Sequence, residues 1–165
     1  MRTLKRRRRE RKTDYKARLN LLKSPLPRII VRKTNNYIIA QCVNTKEAQD
    51  NVLTGVVSKE LLKYGWPKEK QGSLKSIPAC YLTGLCLGEK IKKLNDKKTK
   101  ENIILDIGLT RNIPKNRIYA VLKGLVDSGI KMKQKEDVFP DEKRIRGEHL
   151  KEKINFEDIR KKILG

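Results

Sequence analysis

Residues 77–94 place apolar or small side chains on nearly every side of one helix: Ala79, Cys80, Leu82, Leu85, Cys86, Leu87 and Ile91, with Pro78 suited to its first turn. A helix that is apolar all round has to be buried, so the rest of the chain must fold around it. Gly84 and Gly88 form a G-x-x-x-G, a spacing that in a bilayer would suggest helix dimerisation. The apolar stretch is shorter than the ~18–20 residues a membrane span needs, so the spacing predicts close packing on a sheet instead.

The partners of that helix are legible on either side of it. Residues 28–33 and 37–43 are β-prone runs around Thr34-Asn35-Asn36, and asparagine tolerates left-handed turn conformations, which predicts a β-hairpin. Residues 52–57 read as a third strand running into a short helix over 58–64 capped by Ser58. Ile103, Ile104, Leu105 and Ile107 make a near-continuous apolar run, predicting a strand over 102–109 covered on both faces. Residues 114–128 are amphipathic, with Ile118, Val121, Leu122, Leu125 and Val126 inward and Gly129 as the stop. Strands, helix, strand, helix: the fold class is α/β, a mixed β-sheet with helices on both faces. The composition divides the chain into a basic arm and helix (1–24), an α/β core domain (25–130) and a charged C-terminal tail with short helices (131–165). In that tail Asn155 is placed to cap a final helix, which docks on a partner or on the domain.

Charge narrows the function. The 165 residues carry 41 Lys+Arg against 19 Asp+Glu, a net +22, and residues 1–33 alone hold 14 cations and 2 acids, a net +12. Such a chain is expected to bind a polyanion, nucleic acid first and an anionic membrane surface second. The membrane reading fails because no amphipathic helix pairs a wide apolar face with a basic one. The N-terminus is basic like a signal peptide, but no apolar stretch follows it, which predicts a cytosolic protein. Arg6, Arg7, Arg8, Arg9, Arg11 and Lys12 form a block expected not to fold on itself, and arginine suits phosphate because its planar guanidinium pairs bidentately. Asp14 can cap a following basic helix with Leu19, Leu21 and Leu22 beside Lys16, Arg18 and Lys23, ended by Ser24-Pro25-Leu26-Pro27. On the first strand Arg28 and Arg32 share a face with Ile30, and that face is expected to be wet or to meet phosphate. Tyr37 beside the turn can stack on a base or pack on a neighbour.

No catalytic motif appears: neither G-x-G-x-x-G nor G-x-x-x-x-G-K-[ST] is present. Asp106, with Asp14, Asp50 or Asp127, could be imagined as a metal-binding carboxylate set. Asp106 precedes Gly108 at a strand end, however, where an aspartate commonly accepts backbone hydrogen bonds. Cys42, Cys80 and Cys86 with the single His149 lack zinc-site spacing and read as buried thiols of a reducing compartment. No enzyme activity, cofactor, metal or small-molecule substrate is expected. The Arg block by itself would also suit a general nucleic-acid-binding or chaperone protein.

Several segments in register carry a resemblance: Thr13-Asp14-Tyr15 through Leu22-Lys23-Ser24, then Pro27-Arg28-Ile29-Ile30-Val31-Arg32-Lys33 through Ile38-Ile39-Ala40-Gln41. Further on stand Pro78-Ala79-Cys80-Tyr81-Leu82-Thr83-Gly84-Leu85, Leu105-Asp106-Ile107-Gly108-Leu109, Ala120-Val121-Leu122-Lys123-Gly124-Leu125-Val126-Asp127 and residues 139–149 from Phe139 to His149. Over residues 13–149 the chain resembles the universal large-subunit ribosomal protein family that binds 5S ribosomal RNA (large-subunit protein eighteen), in its archaeal and eukaryotic form. The resemblance implies a non-enzymatic domain of ribonuclease-H-like topology in the cytoplasmic ribosome, anchoring 5S RNA in the central protuberance. It also implies contacts to large-subunit RNA and to a neighbouring 5S-associated ribosomal protein. By position, the RNA-facing residues would be Arg6, Arg7, Arg8, Arg9, Arg11, Lys12, Tyr15, Lys16, Arg18, Arg28, Arg32, Lys33, Asn35 and Asn36, with Arg144 and Arg146 at the C-terminal motif. Two departures stand out. Lys75-Ser76 replace the family's frequent Gly-Asn before Ile77-Pro78, and the chain ends at Gly165 without the eukaryotic extension, which points to the archaeal form.

Overall fold

A computed structural model of the chain describes residues 3–94, 102–133, 135–150 and 154–165. The first two residues of the arm and residues 151–153 of the C-terminal segment lie outside the described residues. The β-branched run of Arg28–Lys33 forms β1, which pairs antiparallel with β2 (Ile38–Lys46), and β2 pairs antiparallel with β3 (Gln49–Val57). A short strand, β4 (Ile104–Asp106), runs parallel to β1, so the mixed sheet has the order β3-β2-β1-β4.

The expected hairpin around Thr34-Asn35-Asn36 forms, but not through left-handed asparagines. Lys33 pairs with Ile38, leaving four residues in the first loop, where Thr34 N–H donates to Tyr37 O and Tyr37 N–H donates to Thr34 Oγ1, each at 2.9 Å. Among the described non-glycine residues with positive φ, neither Asn35 nor Asn36 appears. The left-handed pair sits instead between β2 and β3, at Glu47 (φ 51°) and Ala48 (φ 63°), two successive positive values that match the strand twist of a tight hairpin. Nothing in that dipeptide announces such a turn. Ser58, expected as a cap, accepts from Ile38 N–H at 3.1 Å, and Glu60 reaches back to Val57 N–H at 3.2 Å. The turn over Ser58–Tyr64 is a 3₁₀ helix.

β4 is shorter than the run predicted over 102–109, and only partly covered. It lies at the sheet edge, paired on one side, so Ile103 is buried while Ile104, Leu105 and Ile107 are half-buried. Its end is local chemistry: Gly108, with φ +60°, turns so that its N–H donates to Asp106 Oδ1 at 2.8 Å.

Ile29, Val31, Ile38, Ala40 and Cys42 turn to one face of the sheet and pack beneath the apolar helix α3 (Ile77–Leu94). (Helices are numbered in chain order, α1 and α2 being the short N-terminal helices at Arg6–Arg9 and Tyr15–Leu22.) Beside α3 runs α4 (Arg117–Asp127), where Asn116 rather than Pro114 sets the start, its Oδ1 accepting from Ile118 and Tyr119 N–H. The glycines explain the fit. A Cβ on Gly84 would overlap the Val121 carbonyl, and one on Gly124 would overlap the Tyr81 carbonyl. The small-residue spacing in α3 therefore serves a helix–helix contact, not the sheet contact expected of it.

The C-terminal segment closes the helical side. α5 (Glu142–Arg146) buries Ile145, and α6 (Phe156–Leu164) buries Phe156, Ile159 and Ile163 against α3 and the 58–64 turn. Phe156 lies 5.6 Å from the Tyr81 ring. So the last helix docks on the domain itself; Asn155 stands at its N-cap but its side chain makes no capping bond. The three cysteines are buried, and desolvation pushes the Cys80 and Cys86 thiols up to about 12.

Two outcomes follow from this packing. Gly84→Ala should lose about 3 kcal/mol or more in urea unfolding, because the overlap is with backbone that cannot rotate away. Gly72→Ala, with open space around the added methyl, should stay close to the parent protein. The raised thiol values favour the folded state below the unfolded thiol range, so stability from Cys80 and Cys86 should be intact at pH 8 and fall as pH rises from about 9 towards 12. Urea midpoints across that range test the sign; a stability that rises there would contradict it.

Candidate nucleic-acid interface

The basic block does form structure, contrary to expectation. Arg6–Arg9 make one helical turn, α1, with no buried residue. The like charges are tolerated because every side chain reaches solvent and Glu10 sits among them, pairing with Arg6 Nε and Lys12 Nζ at 3.0 Å each. Arg7 Nε donates to Thr13 Oγ1 at 2.8 Å, tying the turn to the next element. There Asp14 Oδ1 accepts from Lys16 N–H (3.0 Å) and Ala17 N–H (3.1 Å), the capping role expected of it. α2 follows with Lys16, Arg18 and Leu19 exposed, and Lys5 Nζ lies 4.8 Å from the centre of the half-buried Tyr15 ring.

Beneath α2, on the sheet face opposite α3, charged side chains from four elements gather around one buried guanidinium. Arg28 is 2 % exposed. Its Nη2 donates to Asp50 Oδ1 at 2.7 Å and to Thr45 Oγ1 at 2.8 Å, and its Nη1 to Asp106 Oδ2 at 3.2 Å. Asp50 Oδ2 also accepts from Arg18 Nη2 at 3.1 Å, which fastens α2 to the sheet. Arg32 Nη2 donates to Asp106 Oδ1, and its Nη1 to the Asp106 carbonyl, both at 2.9 Å.

This corrects the reading of Arg28 as an outward, phosphate-facing residue. An unpaired buried arginine would be too costly, but the chain supplies two carboxylates from strands distant in sequence, so Arg28 is buried and paired. Arg32 keeps 42 % of its side chain exposed, yet its guanidinium is committed to Asp106 beneath Gly108. The four aspartates weighed as a metal set have separate positions. Asp50 and Asp106 flank Arg28, Asp14 caps α2, and Asp127 accepts from Tyr81 Oη at 2.9 Å while pairing with Lys123.

Arg7, Lys12, Arg18 and Arg32 surround a cleft of about 820 Å³ between α1–α2 and the β1–β4 edge. Its apolar wall includes Leu21, Leu105 and Leu109, and Leu109 is 58 % exposed. Sequence reasoning missed Leu109 as a surface residue because it closes an apolar run that reads as interior. Lys33, Asn35 and Asn36 are exposed at the hairpin end, where Lys75 Nζ donates to Asn35 O at 2.6 Å. Tyr37 takes the packing alternative, half-buried against the core. Arg144 and Arg146 are exposed on α5, on the helical side and apart from the cleft.

A polycationic arm ordered along a mixed α/β domain defines a protein built to meet a polyanion. The family described as "Ribosomal large subunit proteins 60S L5, and 50S L18" matches residues 1–102 and 87–135, and this chain belongs to it. It is 48 % identical over 145 residues to the large ribosomal subunit protein uL18 of Korarchaeum cryptofilum, covering 88 % of this chain and 70 % of that one. The uL18 protein of Methanothrix thermoacetophila is 43 % identical over 166 residues, 97 % of this chain and 94 % of its own length. That of Methanoregula boonei is 43 % identical over 145 residues, 88 % and 79 % respectively.

Arg28→Ala should destabilise the fold by about 2–3 kcal/mol, since it removes a fully buried side chain and its hydrogen bonds to Thr45, Asp50 and Asp106, although Arg18 still pairs with Asp50 and Arg32 with Asp106. Arg32→Ala, at a half-exposed pair, should cost about 1 kcal/mol. Urea unfolding of the two variants checks the order; equal losses would mean Arg28 is not the hub.

Proposed function

We propose that the chain is a structural component of the large ribosomal subunit that binds 5S ribosomal RNA through its arm, α2 and the hairpin end. In this reading it anchors that RNA in the central protuberance, in the cytoplasm, with large-subunit ribosomal RNA and a neighbouring 5S-associated ribosomal protein as further partners. Its role is architectural, holding RNA rather than transforming it. The observation that carries the reading is the set of exposed cations from Arg6 to Lys12 leading into the cleft lined by Arg7, Lys12 and Arg18. Kinship with proteins named as large ribosomal subunit components supports it.

The physics of such a surface separates two contributions. Each phosphate neutralised by the arm releases counterions, so arm binding is steeply salt-dependent and blind to sequence. A cleft with an apolar wall and fixed cations adds shape and contacts to unstacked bases, which survive moderate salt. Labelled 5S RNA competed by unlabelled 5S RNA, transfer RNA and duplex DNA at about 0.2–0.3 M salt distinguishes them. Competition by 5S RNA alone supports the ribosomal reading; equal competition by all three would leave a general nucleic-acid chaperone.

Replacing Arg6, Arg7, Arg8, Arg9, Arg11 and Lys12 by glutamine should weaken 5S RNA binding and flatten its salt dependence by about 0.7–0.9 in log–log slope for each phosphate that is no longer neutralised. Circular dichroism should show the domain still folded, since none of these side chains is buried. An unchanged slope would exclude the arm as the phosphate clamp.

A further inference from the structure

The sheet is left unfinished at β4. On one side β4 pairs with β1, and Ile104 N–H donates to Pro27 O at 3.0 Å. Successive residues of a strand present their backbone groups to opposite sides, so Ile103 and Leu105 turn theirs away from β1. Ile103 N–H finds Lys131 O at 3.3 Å, but the pairing stops there: among the described residues no partner meets the N–H or the carbonyl of Leu105. An edge that keeps a donor and an acceptor unpaired is a template for another strand.

Along that edge lies a groove of about 380 Å³, bordered chiefly by Leu26, Ile103, Leu105, Asn112, Tyr119 and Lys133, and by no carboxylate. Lys133, like Lys131 and Arg111 close to it in the chain or next to Asn112, is exposed and makes no ion pair among the described residues. The loop beyond β4 is pinned at both ends of its exposed stretch. Tyr119 Oη donates to Asn112 Oδ1 at 2.6 Å, and Lys115 N–H donates to Val138 O at 2.8 Å. Between these anchors Ile113 is 49 % exposed. A large apolar side chain fixed in water beside an apolar groove gains by being covered.

We propose that this groove receives an extended acidic segment of a partner protein, laid against β4 as a fifth strand. Its backbone supplies the acceptor and the donor that Leu105 lacks, and its apolar side chains enter the groove beside Leu26 and Tyr119. Its carboxylates meet Arg111, Lys131 and Lys133. Charge complementarity selects an acidic segment, since the border holds a cation and no acid and the whole chain carries +22. The same +22 works against a second copy of this chain as the occupant. A phosphodiester fits less well, because it offers only acceptors and brings nothing apolar to the groove. β4 in this way stands between two surfaces, since Leu105 and Ile107 border both the arm cleft and the groove. The inference goes beyond RNA binding and does not depend on it.

The test uses the full-length, ¹⁵N-labelled chain at about 0.15 M salt and reads backbone amides. The probe is a capped peptide of about six residues in which valine and glutamate alternate. Polyglutamate, the same peptide with lysine in place of glutamate, and a short RNA duplex are titrated separately. The acidic alternating peptide should shift the Leu105, Asn112 and Lys133 amides to saturation and slow hydrogen exchange at Leu105, whose N–H becomes paired. With Lys131→Glu and Lys133→Glu combined, both exposed, the affinity read at Leu105 should fall about tenfold, and the lysine peptide should leave the wild-type groove unmoved. The wild-type titration needs no variant to fold. A Leu105 amide that neither shifts nor slows up to about 1 mM peptide overturns the proposal. An equal response to polyglutamate overturns it because charge alone then suffices, and a groove that answers RNA but not the peptide overturns it in favour of RNA. Arm amides are read in the same RNA titration: their silence would count against the RNA-binding reading and leave the groove result standing.

Discussion

One guanidinium ties the domain together. Arg28 stands on β1 and touches Thr45 on β2, Asp50 on β3 and Asp106 on β4, so a single side chain spans the width of the sheet. Asp50 passes the connection to Arg18, and through it to α2 and the basic arm. Buried charge is expensive unless every partner is present, which makes the arrangement sensitive to register: a strand slipped by one residue would leave Arg28 facing the wrong side. The position of α2 and the basic arm thus depends on an ion network that lies beneath them in the sheet.

The other face relies on closeness instead of charge. Gly84 and Gly124 let the backbones of α3 and α4 approach until each helix packs on a carbonyl of the other. That approach brings α4 over the core and leaves α3 central, with the sheet below it and α4, α5 and α6 around it. The C-terminal helices gain a rigid bed from this. Phe156, Ile159 and Ile145 sink into it, and the charged side chains between them stay at the surface. Buried and solvent-facing side chains alternate there within a residue or two, as with Ile145 and Arg146.

Much of the architecture was legible because periodicity and composition report burial. The boundaries of α3, the strand β1, the capping of α2 by Asp14 and the backbone bond accepted by Asp106 all follow from local rules that the structure obeys. Local rules failed where a distant partner intervened. Ser58 looks like a cap but is taken by Ile38, and the 102–109 run looks like a central strand but lies at an edge. The asparagines look like the left-handed turn, yet the positive φ values fall on Glu47 and Ala48, where strand pairing imposes them.

The sequence alone determined that this chain carries a polycationic arm on an α/β domain, since charge density and apolar periodicity are properties of the chain before it folds. It also carried the family, through segments spread over most of its length. Which arginines remain available to a partner was decided only by tertiary structure. Arg28 is sealed between Asp50 and Asp106, Arg18 shares Asp50 but keeps 43 % of its side chain exposed, and Arg8 on α1 stands in solvent. Whether a cation binds its own chain or something else depends on carboxylates tens of residues away, and only the folded chain brings them within hydrogen-bonding distance.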